Sequence, residues 1–140
     1  MARPAPRISR DVPKPKPRPN LKLAPKHRAF VRSLGCLYAN ADCEGHIEAH
    51  HLKRLGGEGP AGVSGKHGDR WAIGLCHYGH HQFGPHSVHH HGDDEECLAL
   101  AGFDGRAIAQ FLWSHSGDEA TCRAYLDKAR DHARLKARGR

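Results

Sequence analysis

CLYANADCEGHIEAHHL (residues 36–52) and RWAIGLC (residues 70–76) decide how this 140-residue chain is read. The first opens as a knuckle carrying Cys36 and Cys43, then becomes a short strand. Successive strand residues point to opposite sides, so Ile47 and Ala49 face away from Glu48 and His50. The second stretch is a short apolar strand. Between them, residues 56–68 hold six glycines and read as a loop. Two strands with a Gly-rich connection predict an antiparallel hairpin.

Working outward, KHRAFVRSL (26–34) predicts a short helix with Phe30, Val31 and Leu34 on one side, ending at Gly35. Seven of the nine prolines lie in residues 1–30. The alternation PKPKPRP (13–19) builds neither a helix nor a central strand, which predicts an extended, disordered basic arm over 1–25. After Cys76, HYGHHQFGPHSVHHHG (77–92) can begin a helix that Gly84-Pro85 would stop. Beyond the acidic run Asp93–Glu96, two helices are expected. One covers about 104–114, with Ile108, Phe111 and Leu112 inward; the other runs from Gly117 or Asp118 to near Arg138. The expected organisation is an α+β core over 26–92 and a helical extension over 93–140.

The net charge of +7 is unevenly spread. Residues 1–30 carry nine Lys/Arg against one acid, and residues 123–140 carry seven against two, around an acidic centre. Basic ends favour a polyanion, because each neutralised phosphate releases condensed counterions. No run approaches the roughly 18–20 apolar residues of a membrane span, and the first residues lack an apolar signal core. A cytoplasmic chain with reduced cysteines is therefore expected, and cysteines beside histidines then point to metal rather than disulfides. The odd count of five agrees.

Eleven of the fourteen histidines fall between His46 and His91. Neutral imidazole binds transition metals and takes up a proton near neutral pH. Three explanations compete: metal for catalysis, metal for structure, and a solvated His-rich tract without a site. The best-organised part is His50-His51. Neighbours on a strand face opposite ways, so both serve one site only at a strand end or twist. Hydrolysis of a phosphodiester with one metal needs ligands that place the ion by the leaving oxygen, a base for the attacking water, and groups that hold the phosphate in line.

RSLGC, EAHHLKR and DRWAIGLCHYGHH, in this order and spacing, resemble the His-Me finger (HNH-like) nucleases. More narrowly, they are similar to the phage- and prophage-encoded branch that includes the recombination-enhancement nucleases. The resemblance covers about residues 28–92. It implies a ββα-metal core and a metal-dependent endonuclease that hydrolyses DNA, with single-stranded DNA or RNA as alternative substrates. It implies His51 as general base, and His50, His81 and His89 as ligands of a divalent ion (Mg, Mn, Ni or Zn), with His86 the alternative to His89. Asp69 stands where relatives carry a polar residue that braces the loop; capping of the loop is its other reading. Lys53, Arg54 and Arg70 would hold the nucleic-acid backbone without reading bases, or simply solvate a loop.

Cys36, Cys43, Cys76 and His80 offer the donors of a closed structural zinc site, three thiolates and one imidazole, and relatives hold such a zinc behind the hairpin. The spacings differ from the common pattern: C-x6-C is long, and C-x3-H replaces a two-residue gap. His77, or no fourth ligand, is the alternative, and buried small hydrophobic cysteines are the other reading. Cys97 and Cys122 are assigned to packing. Two rival functions are a zinc-stabilised nucleic-acid-binding module without catalysis, and a metal-storage or metal-sensing protein.

Overall fold

The computed structural model describes residues 24–53 and 68–139. The arm expected over 1–25 lies almost wholly outside the described residues, as do Arg54 and most of the Gly-rich connection. Among the described residues the fold is mixed, a two-stranded antiparallel sheet with helices packed around it.

Helix α1 spans Pro25–Ser33, with proline at its first position, where a missing N–H costs nothing. It ends into Gly35, whose φ of +85° reverses the chain toward the knuckle. Strands β1 (Ile47–His51) and β2 (Ala72–Cys76) pair with His50 opposite Ile73 and His51 opposite Ala72. The expected strand over 70–76 is shorter than its apolar run. Asp69–Trp71 form a 3-10 turn instead, with the Trp71 amide closing on the Gly68 carbonyl.

Every residue of β2 is buried, because α1 and helix α4 (Gly105–Ser114) both pack against it. Val31, Leu34, Leu37, Ile73, Ile108, Leu112 and Leu126 meet there. Gly74 lets this happen: a Cβ added to it would stand 2.3 Å from the Gly35 carbonyl oxygen. Both partners are backbone, so neither gives way easily. Gly74→Ala is expected to destabilise the fold by about 2–3 kcal/mol, the upper range for overpacking. A urea transition at lower midpoint with unchanged slope would show it.

After β2 the chain makes one wide, π-helical turn over His77–His81. Two helices then appear that the sequence reading omitted, α2 (Val88–His91) and α3 (Asp94–Leu100). The turn ends at His81, before Gly84-Pro85, and Ser87 starts a new helix by accepting from the His90 amide at 3.1 Å. Asp93 caps α3 by accepting from the Glu96 amide at 3.0 Å. The acidic run is thus a helix start, where negative charge meets the positive end of the helix dipole.

Asp104 and Asp118 cap α4 and α5 (Glu119–Arg138) in the same way. Ile108 and Leu112 are buried as expected, whereas Phe111 is only half-buried. It stacks on Tyr125 of α5 with ring centroids 3.8 Å apart. Arg130 of α5 donates to the carbonyls of Cys36 and Leu37 at 2.9 and 2.8 Å, tying this helix to the knuckle. No helix among the described residues is long and apolar enough to cross a membrane.

Candidate metal centres and active site

The Cys36, Cys43, Cys76 and His80 donors converge: all four ligand atoms lie within 4.8 Å of one another. His80 Nδ1 is 3.0, 3.5 and 3.6 Å from the sulfurs of Cys76, Cys36 and Cys43. Tetrahedral zinc, with bonds near 2.3 Å to sulfur and 2.0–2.1 Å to nitrogen, separates such donors by about 3.5 Å. This Cys3His cluster could therefore hold a metal ion such as zinc.

The unusual spacings have local causes. The wide turn after β2 carries His80 back beneath Cys76, and Gly79 lets it sit against the knuckle, since a Cβ there would meet the Asp42 carbonyl oxygen at 2.2 Å. Ala39, at φ +43°, and the turn from Asn40 to Cys43 absorb the long C-x6-C gap. His77 points elsewhere, to Glu48. His80 is stacked on Tyr38, ring centroids 4.1 Å apart. Burial pushes the Cys36 thiol up to about 12, despite the Cys76 and Tyr38 amides that point at it. Thiolates become favourable in such a pocket when a cation compensates them. Cys97 and Cys122 are buried outside the cluster, as packing residues are.

A second group forms on the exit of β1. His50 is 3% exposed and places Nδ1 3.2 Å from Nε2 of His81. The outer nitrogen of each ring meets a carboxylate: His50 Nε2 lies 3.0 Å from Asp94, and His81 Nδ1 contacts Glu48. With both outer nitrogens donating, the two inner nitrogens face each other as lone pairs, which repel unless a cation sits between them. Two imidazoles on one tetrahedral ion stand about 3.3 Å apart, and carboxylate-backed histidine is the usual second layer of such sites. His89 on α2 flanks His81, ring centroids 5.0 Å apart. His86, its alternative, lines the cavity with Tyr38 and His80 instead.

Burial keeps His50, His81 and His89 below the ordinary histidine range, although Asp94 and Glu48 pull the first two upward. All three are thus neutral near pH 7, the form that donates a lone pair. Burial alone would raise the Asp94 carboxyl, but the His50 ring and the amides of Lys53 and Glu95 hold it below the usual range.

His51, the last residue of β1, belongs to a different network. Its Nε2 lies 2.6 Å from Oδ1 of Asp69. Asp69 is buried; its other oxygen accepts from the Ala24 amide at 2.5 Å and stands 3.7 Å from the Arg28 guanidinium. Those contacts bring its carboxyl below the usual range against the opposing effect of burial. A fixed anion at Nε2 keeps the proton there and leaves Nδ1 as the basic nitrogen. The two neighbours take different partners: His50 joins the imidazole pair and His51 the Asp69 brace.

Of the basic residues, Lys53 lies close enough for its charge to lower the affinity of His50 and His89 for protons. Arg70 lies over the Trp71 ring, 5.0 Å from its centroid. Glu48 and Asp94 are functional candidates that the sequence reading passed over. Glu48 had a signal, since it shares a strand face with His50; Asp94 arrives from 44 residues away in sequence without one. Compared with known proteins, the chain matches no family model, no curated protein and no solved structure.

Proposed function

We propose that the chain is a metal-dependent endonuclease of the His-Me finger type, acting on DNA. The observation that carries this reading is the split between neighbouring residues: His50 enters an imidazole pair of metal-ligand spacing, while His51 is braced by Asp69 with one ring nitrogen left for chemistry. The order of two antiparallel strands, a helical turn and a short helix that returns His81 and His89 to the strand end supports a ββα-metal core.

A divalent ion held by His50 and His81, with His89 as third ligand, would supply charge stabilisation at the departing 3′ oxygen and at the strained phosphate. His51 Nδ1 accepts a proton from the attacking water. Asp69 stabilises the imidazolium that results and holds the ring in place. Lys53, on the strand exit, meets the phosphate backbone, as do Arg70 and Arg54, and none reads a base. Zinc held by Cys36, Cys43, Cys76 and His80 would tie the knuckle and the turn together behind the hairpin.

Asp94 is a positioning residue in this scheme, because it acts through His50. Asp94→Asn is expected to weaken Mn²⁺ or Ni²⁺ binding at the His50–His81 pair by about 10–100-fold, the usual effect of losing such a carboxylate. Isothermal titration of the zinc-loaded chain checks it. The function itself is tested on supercoiled plasmid, with Mg²⁺, Mn²⁺, Ni²⁺ or Zn²⁺ and an EDTA control. Relaxed or linear product that requires the ion supports the nuclease; retarded but uncut plasmid under every ion favours a binding module without catalysis.

A further inference from the structure

We infer that His46, Glu48 and His77 form a further metal site, exchangeable with solvent and selective for a transition ion such as Zn²⁺ or Ni²⁺ over Mg²⁺. Its ligands are distinct from those of the Cys3His cluster and of the His50–His81 pair, although Glu48 also contacts His81. The three ligand atoms lie within 4.8 Å of one another. His46 Nε2 and His77 Nδ1 approach the same oxygen of Glu48, at 3.0 and 2.6 Å.

This arrangement is built by the backbone rather than by chance rotamers. The His77 amide donates to the His46 carbonyl at 2.8 Å, extending the β1–β2 ladder past the end of both strands. That bond sets the two imidazoles in a stack, centroids 4.7 Å apart and 18° from parallel. Glu48 sits two residues after His46 and so shares its side of the chain. Tyr78 and Phe83 wall the His77 ring on its outer side, at 4.7 and 5.4 Å between centroids.

Two imidazoles and a carboxylate are a ligand set for zinc, nickel or copper, whereas Mg²⁺ prefers oxygen alone. Zinc bonds of about 2.0–2.2 Å would place nitrogen and oxygen about 3.3 Å apart, so the contacts to Glu48 would open by about 0.3 Å at His46 and about 0.7 Å at His77. The His46 side chain is 66% exposed and adjusts freely, while the larger adjustment falls on His77, whose side chain is 19% exposed. Three protein ligands leave a fourth position open, which makes the ion exchangeable. The other oxygen of Glu48 contacts His81, so an ion here would draw charge from the carboxylate that orients His81. That coupling rests on His81 being a ligand; the site itself does not.

The test is titration of the zinc-loaded full chain with Ni²⁺, read as heat and stoichiometry, for the parent, His46→Ala, His77→Gln and His50→Ala. His46→Ala and His77→Gln are each expected to lose the same one equivalent, with Cys3His zinc content unchanged. His50→Ala is expected to keep that equivalent. Equal Ni²⁺ stoichiometry in parent and His46→Ala overturns the proposal, as does loss of the same equivalent in His50→Ala, which would mean one composite site. Neither outcome depends on plasmid cleavage, so an inactive protein would leave this result intact.

Discussion

Cys76→Ser is expected to abolish retention of one zinc equivalent by the chain and to lower the thermal midpoint by about 15–25 °C, taking a loss of several kcal/mol at a few degrees each. The size follows from position. Cys76 ends β2, is 1% exposed, and its sulfur lies 3.0 Å from His80 Nδ1. Structural zinc in small domains contributes about 10–16 kcal/mol of binding free energy, comparable to the roughly 5–15 kcal/mol by which whole domains are stable. Serine would leave the buried Cys36 thiol and His80 imidazole, with half-buried Cys43 beside them, one thiolate ligand short. Cys122→Ser is the control. Cys122 is equally buried on α5, yet it lies outside the cluster and donates to the His115 carbonyl at 3.4 Å. It is expected to keep the zinc and lose about 1–2 kcal/mol, within the ordinary range for a core substitution. Metal content by mass spectrometry and a thermal melt of both variants decide it. A Cys76→Ser protein that melts with the parent would remove the structural metal from the account.

His51→Ala is expected to reduce cleavage by about 10²–10⁴-fold, the usual contribution of a positioned general base, while metal and DNA affinity stay within about twofold. His51 bonds to the Asp69 brace and not to the His50–His81 pair, so its removal leaves that pair in place. Asp69 acts through His51 and gives a graded result. Asp69→Asn retains an oxygen that accepts from Nε2 and is expected to keep part of any cleavage rate; Asp69→Ala is expected to keep less. Exogenous imidazole, which can take the water's proton without being attached, is expected to restore part of the His51→Ala rate. A merely structural His51 would show no such rescue.

Much of this molecule was legible in the chain because its signals are local. Pro25 and Gly35 bracket α1, the alternating and apolar runs mark β1 and β2, and Asp104 and Asp118 stand at the starts of α4 and α5. The four donors of the Cys3His cluster were legible as residue types, although their spacing was not. A five-residue wide turn and a positive φ at Ala39 make up the difference, and neither leaves a periodic trace in sequence. Helices α2 and α3 are hidden in the sequence because Gly84-Pro85 reads as a stop, while Ser87 and Asp93 restart the chain just beyond it. Asp94 depended on tertiary packing alone. It doubles as a first-turn residue of α3 and the partner of a histidine in β1, and only the first of those roles has a local cause.

Cleavage by His51 is tested by the initial rate of supercoiled-plasmid relaxation by the parent and His51→Ala, side by side, at equal zinc content and saturating Mn²⁺ or Ni²⁺. The expected result is ion-dependent cutting by the parent, abolished by EDTA, and at least a hundredfold slower cutting by His51→Ala while both proteins retain plasmid in a mobility shift. Cutting at equal rates by the two proteins would contradict the assignment of His51, and retention of uncut plasmid by both would contradict the nuclease itself.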